Sequence, residues 1–218
     1  MNHIYRLKRS GWMQQVQPVP ETARRAGKGN ARSIRAAFAL VMNAMVCVLL
    51  GGGLRLSHAQ QAPPAPTQLP QGGMVTRGSA TIGTNIGANN ALMIVNQSSQ
   101  RAVINWNSFN VGSNARVQFN QPNSSAVVLN NILGNNASQI YGQISANGQV
   151  FLSNPNGVYF SPTAQVDVGG LVATTGKANP DEFMAGKVSF NRDSSTGSVV
   201  NEGRLTAAAG GYIALLAP

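Results

Sequence analysis

The stretch 168–173, Val168-Gly169-Gly170-Leu171-Val172-Ala173, returns later in the chain as Glu202-Gly203-Arg204-Leu205-Thr206-Ala207, and Gly210-Gly211-Tyr212-Ile213-Ala214 follows it. The recurring unit is a glycine turn followed by a short Leu-x-Ala strand. Strands this short cannot bury an apolar face alone, so copies of the unit have to lie on one another. The same texture extends upstream. Asn and Gly, which tolerate left-handed backbone and mark turns, separate β-branched or alternating runs. These runs are 91–95 (ALMIV), 102–106 (AVINW), 116–119 (RVQF), 126–129 (AVVL), 149–152 (QVFL), 158–160 (VYF), 165–168 (QVDV), 171–173 (LVA), 188–190 (VSF) and 212–216 (YIALL). Only 179–184 reads as a helical turn, with Asp181 and Glu182 following Pro180.

Closely spaced short strands suit a sandwich, a barrel or a solenoid, and the solenoid fits best. Each turn of such a coil needs an inward stripe of small or apolar residues and tight Gly or Asn corners. Stacked turns also bring like residues together, so Asn amides can bond along the axis, whereas stacked charges would repel about 4.8 Å apart. Residues 60–218 hold twenty asparagines but only 12 charged side chains in 159 residues. The expected fold is all-β, a solenoid of short stacked strands with a cap at its end. At roughly 20–25 residues per rung, 73–218 has room for six or seven rungs. The pattern stops at Ala217-Pro218 without the terminal cap a solenoid needs, so the chain is expected to be the N-terminal part of a longer protein.

Charge divides the chain in two. The net charge is +10, but residues 1–59 carry nine basic side chains against Glu21 alone, and 60–218 carry seven against five acidic ones. A nucleic-acid binder needs its basic patch on the folded body, so none is expected as a partner. The run 36–50 (AAFALVMNAMVCVLL) follows basic residues. As a helix it spans about 22 Å, less than the roughly 30 Å hydrocarbon core. Gly51, Gly52 and Gly53 then interrupt it, and Ser57-His58-Ala59 places small residues where a cleavage site needs them. This is the layout of a secretory signal peptide, cut between Ala59 and Gln60, and it implies entry through the Sec translocon. The basic region is longer than such a peptide requires. Residues 60–72 (QQAPPAPTQLPQG) read as an extended mature tail.

Cys47, His3 and His58 all precede residue 60. The body is therefore without thiol or imidazole, which excludes Cys/His zinc sites, Cys nucleophiles and His-dependent triads there. A β-helical lyase or hydrolase would need paired carboxylates or an acidic metal cluster. The body offers Asp167, Asp181, Glu182, Asp193 and Glu202, with only Asp181 and Glu182 adjacent. No enzyme activity, metal or cofactor is expected. The competing reading is a carbohydrate-binding adhesin domain using Asn side chains and Trp106, Tyr141 and Tyr159, although the apolar context of Trp106 and Phe109 marks them as core.

Between the strands at 149–152 and 158–160 lies Asn154-Pro155-Asn156-Gly157. Asn at i, Pro at i+1, Asn at i+2 and Gly at i+3 meet the preferences of a type I β-turn. With Ser153 and Val158, this stretch resembles the hallmark of the secretion domain of two-partner secretion exoproteins, the filamentous-haemagglutinin and high-molecular-weight adhesin type. Residues 102–109 (AVINWNSF), 117–120 (VQFN) and 148–151 (GQVF) resemble the same domain. Met1-Asn2-His3-Ile4-Tyr5-Arg6-Leu7 and Trp12 resemble the extended signal-peptide region of very large exported proteins. A second family motif, Asn-Pro-Asn-Leu, is missing; Asn120-Gln121-Pro122-Asn123 stands in a comparable region. The resemblance implies a chain that crosses the periplasm largely unfolded and engages the periplasmic modules of an outer-membrane β-barrel transporter. It would then fold outside, at the cell surface or in the medium, as a right-handed parallel β-helix with an N-terminal cap and small extra-helical β elements. Asn154, Pro155, Asn156 and Gly157 are the candidate recognition residues, either as a docking feature or as a structural corner. Any host-surface ligand would belong to a downstream region.

Overall fold

A computed structural model describes residues 5–9, 16–20, 61–193 and 195–218 of the 218-residue chain. The apolar run 36–50, the Ala59–Gln60 junction, Cys47 and both histidines lie outside the described residues. The chain divides into two compact units, 1–60 and 61–218. In the first, β1 (Tyr5–Arg9) pairs antiparallel with β2 (Val16–Pro20).

The second unit is a parallel β-solenoid, and the short strands between Asn and Gly corners form its walls. One wall stacks β5 (Ala91–Gln97), β7 (Ala115–Asn120), β10 (Gln143–Ala146), β13 (Gln165–Val168) and β18 (Arg204–Ala207). A second stacks β6 (Arg101–Trp106), β8 (Val127–Ile132), β11 (Gln149–Ser153), β14 (Gly170–Thr174) and β19 (Ile213–Leu216). A third, shorter wall consists of β9 (Ser138–Ile140), β12 (Val158–Phe160) and β17 (Val199–Asn201). All neighbours within these stacks are parallel. The coil starts on an antiparallel cap, with β3 (Met74–Arg77) on β6 and β4 (Ala80–Ile86) on β5. Residues 61–72 lie against the first turn. Leu69 is buried, and the N–H groups of Gly112 and Asn114 donate to the carbonyls of Gln68 and Pro66.

There are about four turns, fewer than the six or seven expected. Two segments account for the difference. The first strands of the body are spent on the cap, and residues 175–198 leave the coil between β14 and β17. This excursion contains β15 (Lys177–Ala178), the single-turn helix α1 (Pro180–Met184) and β16 (Phe190–Asn191), with β15 and β16 antiparallel. The helix lies where Asp181 and Glu182 pointed. Asn179 caps it, its Oδ1 accepting from the N–H of Asp181 at 2.9 Å and of Glu182 at 3.3 Å.

The interior of the coil is one apolar column, including Val95, Trp106, Phe119, Ile144, Leu152, Phe160, Val166 and Leu171. Trp106 and Phe109 are core, as their context indicated, packed edge to face at 5.4 Å. In the first wall, buried and accessible residues alternate, as for a sheet with one wet face. The second wall does not alternate: β11 and β14 are buried almost throughout. Its outward side chains Val103, Val127, Leu129, Phe151 and Val172 form a second cluster with Phe183 of α1. Phe183 and Phe190 both pack on the ring of Phe151. The excursion is therefore a cover, and it spans residues from successive turns.

Side-chain amides bond between turns, but in short ladders. Asn120 Nδ2 donates to Asn96 Oδ1 at 2.8 Å, and Gln121 Nε2 donates to Gln97 Oε1 at 3.2 Å. Other amides serve backbone corners. Asn130, fully buried, accepts from Trp106 Nε1 at 2.9 Å and donates to the Phe151 carbonyl at 3.2 Å.

Candidate functional site

Asn154-Pro155-Asn156-Gly157 forms the corner between β11 and β12. The Gly157 N–H donates to the Asn154 carbonyl at 3.0 Å, closing the four-residue turn that the sequence indicated. The Asn156 N–H donates to Asn154 Oδ1 at 3.0 Å, so the Asn154 side chain locks the turn from inside. Gly157 has φ +116°, and a Cβ there would lie 2.8 Å from the Ser198 carbonyl oxygen. Only glycine fits both the backbone and the space.

The corner joins three layers of the coil. Toward the preceding turn, Asn154 Nδ2 donates to the Asn136 carbonyl at 3.0 Å and to Ser138 Oγ at 2.9 Å. Asn156 Nδ2 donates to the Gly134 carbonyl at 2.8 Å, and the Ser138 N–H donates to the Gly157 carbonyl at 3.0 Å. Toward the following turn, the Asn154 N–H donates to the Thr174 carbonyl and the Val158 N–H to the Ser198 carbonyl, both at 2.9 Å. Ser195 Oγ donates to the Pro155 carbonyl at 2.7 Å. Gly197 lies directly on the turn, where a Cβ would come within 2.6 Å of Pro155 O and Gly157 N.

Burial separates the four residues. Asn154 is 0 % exposed and Gly157 is buried, Pro155 is half-buried, and Asn156 is exposed. The sequence brought the four together but gave no sign of Ser138, Ser195 or Gly197. Their only signal is positional. Val158 pairs with Ser138 and with Val199, so residues 136–137 and 197–198 stand in the same corner as 156–157.

The body's carboxylates are dispersed. Asp181 meets Arg77 at 3.0 Å and Asp193 meets Lys177 at 3.3 Å, both pairs exposed. Glu182 accepts from Ser189 Oγ, Glu202 accepts from the Tyr159 hydroxyl, and Asp167 lies on the wet face of β13. Among the described residues no group of three or more His, Cys, Asp or Glu is placed to hold a metal ion. Tyr141 and Tyr159 pack edge to face at 6.0 Å, and Trp106 is inside the core, so the three aromatics do not share one surface.

Residues 67–218 match the model of the TPS secretion domain family. The solved HMW1 secretion domain from Haemophilus influenzae superposes with a TM-score of 0.58 at 34% identity, covering 63% of this chain and 36% of that one. Two heme/hemopexin-binding proteins of Haemophilus influenzae are similar, one 39% identical over 146 residues, the other 41% over 111. These alignments cover 63% and 51% of this chain but only 15% and 12% of the relatives. The match falls on the solenoid and its cap, and it contains the Asn-Pro-Asn-Gly corner whole. The chain belongs to the TPS secretion domain family, the secretion domain of two-partner systems.

Proposed function

We propose that the chain carries the export signal of a large surface protein, with an outer-membrane β-barrel transporter as its partner. The observation that carries this is the family match over 67–218, which coincides with a coil built turn on turn. The domain targets its protein for export to the cell surface or the medium, and the coil starts to form on the outside. The signal peptide, cut between Ala59 and Gln60, delivers the chain through the Sec translocon. The chain crosses the periplasm largely unfolded. Two sequence properties support that route. Without cysteine after residue 47, no periplasmic disulfide can close a loop too wide for a pore. Solenoid stability comes from nearest neighbours, so folding can follow the chain as it emerges. The domain is not catalytic. Haem or hemopexin binding, for which the two Haemophilus relatives are named, is assigned to no residue of 61–218, which holds neither His nor Cys.

The Asn-Pro-Asn-Gly corner serves export through the fold it locks. The burial of Asn154 and Gly157 favours this over direct docking, for which only Asn156 and the edge of Pro155 are accessible. The test is secretion of the chain from a host with and without the cognate transporter. Appearance in the medium only with the transporter, with Gln60 as first residue, is the expected result. Equal release from both hosts would overturn the proposal.

A further inference from the structure

The two cap strands leave sheet edges of opposite character. β3 has four residues, its register with β6 shifts between Val75 and Arg77, and Arg77 closes its end with a bond to Asp181. A short strand, a bulge and a charge are devices that keep other strands from adding to an edge. β4 has none of them. Its seven residues, Ala-Thr-Ile-Gly-Thr-Asn-Ile, contain no charge and no proline, and pair with β5 in an unbroken register. Residues 83–86 are exposed, Ile86 by 65%, and the space around Gly83 is open.

The hydrogen bonds show which groups are unpaired. At one end of the hairpin the Ser98 N–H donates to the Ser79 carbonyl, and at the other the Gly87 N–H donates to the Asn90 carbonyl at 2.8 Å. In an antiparallel pair the bonded positions alternate, so odd-numbered residues of β4 face β5. The N–H and C=O of Ile82, Thr84 and Ile86 point away from it, along the edge.

β4 and β5 are also the long antiparallel pair of this unit that is joined directly, through residues 87–90. The parallel neighbours stand a whole turn apart in sequence and wait for that turn to be laid down. A hairpin closes in roughly 1–10 μs without such help. Two strands alone are marginal in water, and a third makes the sheet stable. β5 later gives its other edge to β7, so a lasting third strand has to join at β4.

We propose that the outer edge of β4 is the docking edge for an extended, uncharged strand of the outer-membrane transporter, added while the coil is still unformed. This rests on the export reading above and names the surface that reading leaves open. Strand addition supplies main-chain bonds at Ile82, Thr84 and Ile86, and the alternate Thr and Ile side chains select a neutral partner strand.

The test uses the full chain in cells making the transporter. Thr84→Lys and Thr84→Pro both block the edge, and neither removes a bond to β5. Each is expected to lower secreted protein at least ten-fold with synthesis unchanged, while Thr206→Lys, on the wet face of β18, exports as the parent does. Thermal unfolding of the refolded variants within a few degrees of the parent shows that the fold is kept. Parent-level export of both Thr84 variants overturns the proposal. Export of the parent without the transporter overturns the export reading instead. A chain with Cys47→Ser and Thr84→Cys then carries one thiol, at the edge. Alkylated with a maleimide that carries a benzophenone and then irradiated, it is expected to insert into a C–H bond of the transporter, whereas a product of twice the chain's mass, or none, overturns the assignment.

Discussion

At Asn154 one side chain does the work of a corner: it accepts twice from Asn156 and donates once to Asn136 and once to Ser138, with no access to water. Asn154→Ala strands those partners inside the coil and is expected to cost about 2–4 kcal/mol, from several buried bonds at roughly 1 kcal/mol each. Asn156→Ala, at the exposed position, should cost about 1 kcal/mol. Urea unfolding of the two variants checks the order. Export should fall in the same order if the corner acts through the fold, and in the reverse order if the exposed amide is a docking group. The turn was legible because Asn, Pro, Asn and Gly each carry a local backbone preference. Ser138, Ser195 and Gly197 were not, because they reach the corner from other turns and nothing local marks them. A second residue gives a pH dependence. The Tyr212 hydroxyl donates to Gln149 Oε1, and burial raises its pKa above 10, with Arg101 opposing. The folded state thus holds this proton more tightly than the unfolded chain. Its contribution is complete below pH ~10 and is lost as pH rises through the raised value. Tyr212→Phe should flatten the alkaline limb of a stability-versus-pH curve.

Among the elements, the excursion 175–198 governs most. It lays Phe183 and Phe190 on the outer face of the second wall and reaches back to the cap through Arg77 and Asp181. Phe183→Ala should cost about 3–5 kcal/mol as a buried aromatic truncation. Arg77→Ala, which removes an exposed ion pair, should cost no more than about 1 kcal/mol. Hydrogen exchange would show the first change as faster exchange in β6, β8 and β11 together, since one cover spans them. Strands with β-branched or alternating residues were readable: 158–160 and 165–168 coincide with β12 and β13. β9, β10 and β17 were not, because Ser138-Gln139-Ile140 or Val199-Val200-Asn201 is too short and too polar for a period to register. The antiparallel sense of β3 and β4 was equally hidden, since alternation fixes which face is buried and not the direction of a neighbour.

For the whole molecule, the solenoid was legible from its low charge, its corners and its repeated Gly-Leu unit. The number of turns was not. Residues per rung can be guessed, but a cap and an excursion consume chain without adding height. One prediction belongs to this scale. Asn96 and Asn120 are in-register neighbours on adjacent parallel strands, about 4.8 Å apart, a span a disulfide can bridge. Asn96→Cys with Asn120→Cys should arrest export when the periplasm oxidises the pair and restore it when reductant is added. Export unaffected by oxidation would show that the chain need not pass the membrane unlooped.

The parallel stacking has a mechanical side. Thr163 donates to the carbonyl of Tyr141, directly below it in the coil and 22 residues earlier in the chain. Fully extended, that length of chain reaches roughly 70 Å. Wound into a turn, it adds only about 4.8 Å of height. On the export route proposed above, every turn completed on the far side of the pore thus reels in many times its own height of slack polypeptide. Pulling that chain back has to peel the most recently laid turn off the coil, against its ladder bonds and its buried side chains, so the coil is a winch with its own pawl.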